Sequence, residues 1–230
     1  MTASTPSAPY VNLKSQHAAP KAELPAIVGV DFDNTLIIYD DLLKKLALDR
    51  NLLGNDAIQG KRQIRDMLRA RPNGEIEWQQ LQADAYGPRI GEAYLAFGAG
   101  RFLELARAAG IAVYTISHKT QWASQDRTGT DLRRAALGWM EANGLFADSA
   151  GLSPAKVFFG ATREEKIAHI RRLRCTHFID DLEETFAEAS FPGDVARILY
   201  APHPTTSAPS GCIVVQSWKQ ICDYFFADNC

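Results

Sequence analysis

The feature that most constrains the fold of this chain is a series of short apolar runs separated by helical patterns. Each run has four to seven residues and is apolar at consecutive positions, which is typical of strands in a parallel sheet that helices cover on both faces. Alternating strands and helices indicate a doubly wound α/β fold, so we predict a mostly parallel, Rossmann-like sheet. The predicted strands are residues 26–30, 111–117, 156–159, 177–180, 196–200 and 212–216.

Helical signals between these runs agree with that fold. The stretches "GRFLELARAAG" and "TDLRRAALGWMEANG" each have an apolar side and end in a glycine, Gly110 or Gly144, which is a common helix stop. A further helix is predicted after Thr162, because Thr162 and Glu165 form an S/T-x-x-E capping box.

The connection between the first and second strands is much longer than a crossover requires, which is about a dozen residues. Its stretches "DDLLKKLALDR", "DAIQGKRQIRDMLRA", "EIEWQQLQADAY" and "PRIGEAYLAF" each predict a helix. We therefore predict a helical insertion at residues 38–96 within a core formed by residues 23–37 and 97–230. Residues 1–22 are rich in Ala, Ser, Thr and Pro and are predicted to be a mobile tail.

Composition narrows the possible partners and the compartment. The net charge is −2, which gives no reason to expect binding to nucleic acid or to an anionic membrane. No run of apolar residues is long enough to cross a bilayer. The four cysteines form no CxxC pair and predict neither a disulfide framework nor a zinc site. We therefore expect a cytoplasmic protein with no nucleic-acid or membrane partner.

Polar side chains cluster at the predicted carboxyl ends of the strands, where ligands bind in open α/β sheets. Several carboxylates at one sheet edge repel one another and need a cation or a proton. Oxygen ligands without a nearby cysteine favour Mg²⁺ over zinc. The residues concerned are Asp31, Asp33, Ser117, His118, Lys119, Asp180 and Asp181, with Lys166 in the first turn of the capped helix.

This set of residues suits phosphate chemistry. A magnesium ion beside a lysine and a serine can bind a phosphate dianion. An aspartate can attack phosphorus and form an aspartyl-phosphate. A second aspartate two residues away, as Asp33 follows Asp31, can protonate the leaving oxygen and later activate water.

Four motifs carry a resemblance to a known family. "DFDNTL" matches a DxDxT signature, "VYTISHK" is a strand that ends in a serine, "REEK" contains a lysine, and "FIDDLEE" contains an aspartate pair. In this order, and on these elements, they resemble the motifs of the haloacid dehalogenase-like (HAD) superfamily of phosphohydrolases. The resemblance covers residues 26 to 184.

The resemblance implies a role for each catalytic residue. Asp31 is the expected nucleophile and also a Mg²⁺ ligand. Asp33 is the expected general acid and base, and its backbone carbonyl is expected to bind the metal. Ser117 is expected to hydrogen-bond the transferring phosphoryl group, and Lys166 to neutralise the charge of the phosphate and of Asp31.

The remaining implied roles concern the metal, the loop and the insertion. Asp180 and Asp181 are expected to complete the metal site, Asp181 either directly or through water. Thr35 is expected to support the loop beside the substrate. The insertion resembles a C1-type cap, which closes over the site and excludes water.

Two choices stay open at this point. Lys119 is an alternative to Lys166 as the lysine that faces the phosphate. If Lys166 faces the phosphate, we expect Lys119 to contact another part of the substrate. We also expect His118 to contact the substrate. The predicted function is a Mg²⁺-dependent phosphatase acting on a small phosphorylated metabolite, a sugar phosphate or a nucleotide. The alternatives are a phosphomutase with the same aspartyl-phosphate and a non-catalytic phosphate-binding subunit.

Overall fold

The computed structural model describes residues 26–54, 60–203 and 209–226. Within these ranges, helices and strands alternate along most of the chain. Their order is β1 (Ile27–Val30), β2 (Ile37–Ile38), α1 (Asp40–Asp49), α2 (Gly60–Arg69), α3 (Gly74–Tyr86), β3 (Tyr94–Leu95), α4 (Ala99–Ala108), β4 (Ala112–His118), α5 (Leu132–Ala142), β5 (Val157–Gly160), α6 (Arg163–Arg172), β6 (His177–Asp180), α7 (Glu183–Ala187), β7 (Ala196–Tyr200), β8 (Cys212–Val215) and α8 (Trp218–Phe226).

The main sheet has six parallel strands in the order β5-β4-β1-β6-β7-β8. The chain moves outward from β1 through β4 to β5, and then returns to β6 on the other side of β1. This reversal creates a topological switch point next to β1, where ligands bind in such sheets. The predicted doubly wound α/β fold is confirmed, and each predicted strand lies within one residue of an observed one.

Apolar packing on both faces of the sheet holds β1 at its centre. Val28 and Val30 are fully buried in one core, and Phe178 of β6 is fully buried in the other. Burial of a large apolar side chain stabilises a fold by about 1.5–3 kcal/mol. Gly29 lets the Phe178 ring cover the strand, because a Cβ at Gly29 would lie 2.6 Å from that ring.

Between β2 and β3, the described residues form three α-helices, α1 to α3, and the antiparallel pairing of β2 with β3 attaches them to the sheet domain. In this pair Ile37 of β2 lies opposite Leu95 of β3, and Ile38 lies opposite Tyr94. The helices bury Leu43, Ile64, Leu68, Trp78 and Leu81 in a core continuous with that of the sheet.

The structure corrects the predicted helices at two places, and two predicted segments lie outside the described residues. The helix predicted over "PRIGEAYLAF" is wrong: a 3-10 turn at Ile90–Glu92 precedes strand β3, because pairing with β2 outweighs local helix propensity. Helix α8 was not predicted, although Trp218, Ile221 and Cys222 give it a buried side at helical spacing. The predicted tail at residues 1–22 lies outside the described residues, as do residues 55–59 of a predicted helix.

None of the helices within the described ranges combines the length and the apolar character needed to cross a membrane.

Candidate active site

The loop after β1 brings Asp31 to the carboxyl end of the central strand. The Asp31 carboxylate is 3% exposed, and its backbone N–H donates to the Ile179 carbonyl at 2.8 Å. The chain then turns back sharply at Asn34, which adopts the left-handed conformation with φ 59°. Thr35 is fully buried, and its carbonyl accepts a hydrogen bond from the Trp218 indole at 3.1 Å. The hydrogen bond between Thr35 and Trp218 of α8 thus holds this loop in place.

Helix α6 places Lys166 at the same edge of the sheet. Thr162 caps the helix by accepting from the Glu165 N–H at 3.2 Å, as predicted. The Lys166 ammonium is 1% exposed and lies 2.7 Å from both Asp31 Oδ1 and Asp180 Oδ2. Burial alone would lower the pKa of Lys166, but the two carboxylates raise it above its ordinary value. Lys166 therefore remains charged and joins β1 to β6.

Three carboxylates meet at this point. Carboxylate oxygens of Asp31, Asp180 and Asp181 all lie within 4.8 Å of one another. Burial, reinforced by the charges of Asp180 and Asp33 and opposed by Lys166, raises the pKa of Asp31 from 3.8 to about 7. Burial also raises the pKa of Asp181 well above its usual range. The single positive charge of Lys166 therefore does not neutralise the three carboxylates of Asp31, Asp180 and Asp181.

The residues at this point fit a divalent cation. Asp181 Oδ1 is buried and has no hydrogen-bond partner, which is unfavourable for a polar atom unless a ligand satisfies it. All the available donors are oxygens, the ligands that Mg²⁺ prefers. Asp31, Asp180 and Asp181 could therefore hold Mg²⁺.

The Asp33 carboxylate makes different contacts from these three. It accepts hydrogen bonds at 2.9 Å from the Lys119 ammonium and from the Tyr39 hydroxyl. Lys119 is 3% exposed and Tyr39 is fully buried. The two predicted lysines thus contact different acids: Lys166 contacts Asp31 and Asp180, and Lys119 contacts Asp33.

Strand β4 ends with two further predicted residues in different environments. Ser117 is 1% exposed, and its hydroxyl is buried with no hydrogen-bond partner. His118 is exposed, and its Nε2 lies 3.1 Å from the Ala161 carbonyl oxygen. Ser117 therefore offers an unused hydrogen bond to a bound group, whereas the His118 ring already has a backbone contact.

A cavity of about 290 Å³ brings most of the predicted residues together. Asp31, Asp33, Ser117, His118, Lys119, Lys166 and Asp181 line it, whereas Thr35 and Asp180 are fully buried and do not line it. Helices α2 and α3 form its other side with Lys61, Gln79, Gln82 and Tyr86. Sequence reasoning did not single out Lys61, Gln79 or Gln82, because polar residues on an amphipathic helix are typical of a solvated face.

Comparison with known proteins supports the fold through structure rather than sequence. No protein-family model and no curated protein matches the chain. A HAD family hydrolase from Deinococcus radiodurans R1, solved with bound phosphate and sodium, matches with a TM-score of 0.52 and 15% identity over 87% of this chain and 94% of its own. A family IA, variant 3 HAD hydrolase from Entamoeba histolytica matches with a TM-score of 0.52 and 13% identity, over 85% and 94%.

The HAD-hydrolase YfnB from Bacillus subtilis, bound to magnesium, also matches with a TM-score of 0.52, at 9% identity over 87% of this chain and 98% of its own. Identities this low show similarity of fold. The predicted resemblance is confirmed at that level: the chain has the fold of the haloacid dehalogenase-like hydrolases.

Proposed function

We propose that the protein is a Mg²⁺-dependent phosphatase that hydrolyses a small phosphomonoester through an aspartyl-phosphate. The observation that carries this proposal is the position of Asp31. Its buried carboxylate lines the cavity, contacts Lys166, and lies within 4.8 Å of the Asp180 and Asp181 carboxylate oxygens. A nucleophile next to a fixed positive charge suits attack on a phosphate dianion.

In the first proposed step, an Asp31 oxygen forms a bond to phosphorus while the bond from phosphorus to the ester oxygen breaks. The leaving oxygen takes a proton from Asp33, so that an alcohol departs. In the second step Asp33 takes a proton from water, and the water oxygen attacks phosphorus. The bond from phosphorus to Asp31 breaks, which releases inorganic phosphate and restores both acids.

The neighbouring side chains have distinct roles in this proposal. Lys166 neutralises charge on Asp31 and on the phosphoryl group. The Ser117 hydroxyl, which has no partner, donates to a phosphoryl oxygen. Lys119 and Tyr39 hold the Asp33 carboxyl in place through their 2.9 Å hydrogen bonds. These contacts support Lys166, rather than Lys119, as the lysine that faces the phosphate.

Magnesium would be held by the side chains of Asp31, Asp180 and Asp181 and by the Asp33 backbone carbonyl. When bound, it would neutralise charge on the phosphoryl oxygens. Such help is needed because hydrolysis of phosphate monoesters is among the slowest uncatalysed reactions, for which enzymes reach accelerations of up to about 10²¹-fold.

Asp33 favours a phosphatase over a dehalogenase on the same fold. An alkoxide leaving group needs a proton, whereas a halide does not. An acid that lines the cavity two residues after the nucleophile therefore has a use in ester hydrolysis that it lacks in dehalogenation. We further propose that α1 to α3 act as a cap that excludes water, and that the substrate is a small phosphorylated metabolite that fits a cavity of about 290 Å³.

A phosphate-release assay tests this function. We expect the purified protein to hydrolyse p-nitrophenyl phosphate, to lose the activity in EDTA, and to regain it with Mg²⁺. A panel of phosphorylated metabolites would then identify the better substrates. Hydrolysis that persists in EDTA would contradict the metal site, and absence of phosphate release with every ester would contradict the phosphatase assignment.

A further inference from the structure

The cavity contains three lysines, of which two are committed to acids. Lys166 contacts Asp31 and Asp180, and Lys119 contacts Asp33. The third, Lys61, lies in the first turn of the inserted helix α2 and is half-buried. Among the residues that the structure describes, no carboxylate oxygen lies within 4.0 Å of the Lys61 ammonium, the distance that defines an ion pair.

Lys61 is nevertheless held in place. Its backbone N–H donates to Asp40 Oδ1 at 2.7 Å, and Asp40 Oδ2 lies 3.3 Å from His203 Nε2 on the sheet domain. Its ammonium lies 5.7 Å from the centre of the Tyr86 ring, against which Lys119 also packs at 4.8 Å. Burial alone would lower the pKa of Lys61, but the Tyr86 hydroxyl and the Asp181 and Asp33 carboxylates raise it above its ordinary value, so the ammonium stays charged. Because no carboxylate of the described residues lies within ion-pair distance, the ammonium is available to bind an anion in the cavity.

The position of Lys61 indicates which part of a substrate it would meet. Lys61 also lines a second cavity of about 650 Å³, between α2 and the end of β7, so it lies where the two cavities adjoin. Asp31 follows β1 and Lys166 lies on α6, on the sheet side of the first cavity, whereas Lys61 lies on α2, on its inserted side. A phosphoryl group placed for attack by Asp31 therefore leaves Lys61 beside the alcohol part of the substrate.

We infer that Lys61 binds a carboxylate on the leaving alcohol, so that the substrate is a phosphorylated hydroxy acid. This inference rests on the proposed phosphatase function and deepens it. Two neutral polar side chains also line the inserted side of the cavity: Gln82, and Gln79, whose Oε1 accepts from the Ser124 hydroxyl at 3.0 Å. They suit hydroxyl groups on a short carbon chain that ends in the carboxylate.

Two esters of the same length test the inference. 3-Phosphoglycerate carries a carboxylate where glycerol 3-phosphate carries a hydroxymethyl group. A charge-assisted hydrogen bond is worth about 1.5–3 kcal/mol, which corresponds to about a tenfold to hundredfold effect. We expect wild-type kcat/KM to favour 3-phosphoglycerate by about that factor, and Lys61→Met to remove most of the preference. Lys61→Arg keeps the charge and should keep part of it.

Lys45→Met is the matched control. Lys45 lies on the inserted helix α1, its side chain is 55% exposed, and it pairs with Glu92 outside the cavity. This variant should keep the wild-type preference between the two esters. A Lys61→Met variant that loses activity equally on both esters would contradict the inference, as would a wild-type protein that prefers glycerol 3-phosphate or does not discriminate.

A binding measurement separates this inference from the proposed function. With Mg²⁺ present, 3-phosphoglycerate should raise the Tm of the wild type more than glycerol 3-phosphate does, since a ligand stabilises the state that binds it. In Lys61→Met the two shifts should become similar. The result does not depend on turnover: equal Tm shifts in the wild type would overturn the Lys61 inference, whereas the absence of phosphate release would overturn the phosphatase.

Discussion

The two sides of the cavity differ in how firmly the fold fixes their charged groups. On the sheet side, Asp31, Ser117, Lys166 and Asp180 are at most 3% exposed and sit on or next to strands and a capped helix. On the inserted side, Lys61 is half-buried, and the ion pairs of α2, such as Arg69 with Glu75, lie at the surface. Catalytic side chains must be positioned precisely, and rigid elements provide such positions. Residues on the inserted helices can be substituted without disturbing the sheet.

The largest expected effect comes from the nucleophile on the sheet side. Asp31→Asn keeps the size of the side chain but removes the attacking oxygen anion. Loss of a catalytic nucleophile in a comparable two-step enzyme costs about 10⁶-fold in kcat, so we expect at least a 10⁴-fold loss by the same principle. Steady-state hydrolysis of p-nitrophenyl phosphate measures it, with circular dichroism to confirm folding. Near wild-type activity in a folded variant would show that another residue attacks phosphorus.

The two lysines of the sheet side should differ in their contribution to stability. Lys166→Met leaves Asp31 and Asp180 buried without their shared partner, and breaking a buried pair in this way costs about 3–5 kcal/mol. Lys119→Met costs less, about 1–3 kcal/mol, because Asp33 keeps its hydrogen bond from Tyr39. Urea unfolding of the metal-free variants compares them. If Lys119→Met lowers the free energy of unfolding as much as Lys166→Met or more, Lys166 does not contribute more to stability than Lys119, which contradicts the prediction.

The stability of the metal-free protein should depend on pH through Asp31. Because burial raises the pKa of Asp31 from 3.8 to about 7, the folded state holds a proton between these values that the unfolded state has lost. Stability from this group is therefore present below pH 3.8 and is lost as the pH rises through about 7. At about 1.4 kcal/mol per pKa unit, the loss is up to about 4 kcal/mol.

Urea unfolding in EDTA at about pH 5 and about pH 8 tests this dependence, with Asp31→Asn as the comparison because it has no proton to lose at this position. The wild type should lose more stability than Asp31→Asn between the two pH values. Equal pH dependence of the two proteins would show that Asp31 does not carry a raised pKa.

The smallest effect is expected for an ion pair between the inserted helices and the sheet domain. Arg62 of α2 lies 3.4 Å from Glu183 of α7, and its side chain is 52% exposed. Exposed pairs contribute little, so Arg62→Ala should change the free energy of unfolding by less than about 0.5 kcal/mol. Urea unfolding measures this change. A loss above about 1 kcal/mol would mean that this contact, and with it the inserted side, is more firmly fixed than its exposure indicates.

The sheet side of the site was predictable from sequence because its residues follow recognisable strands. A buried strand that runs into Asp31, and another that ends at Asp180, must place both acids at one edge when the strands are parallel neighbours. The cap of α6 was equally visible, because Thr162 and Glu165 form a local signal. The strands, their order along the chain and the acidic group of the site followed from such local patterns.

The inserted side was not predictable in the same way. Lys61 reaches the cavity only because α2 packs against α1 and α3 beside the site, and the pairing of β3 with β2 replaced a predicted helix. Tyr39 contacts Asp33 through the turn that leads into α1. These contacts depend on the placement of whole elements in three dimensions, for which neither helical periodicity nor local propensity provides a signal.

The central claim is that Asp31 carries the phosphoryl group during turnover. Borohydride reduces an acyl phosphate to an alcohol and would convert a phosphorylated aspartate to homoserine. Protein quenched with borohydride during steady-state hydrolysis, then digested and analysed by mass spectrometry, should contain homoserine at position 31, and protein incubated without substrate should not. Homoserine at another aspartate, or phosphate release with Asp31 unmodified in every sample, would contradict the account.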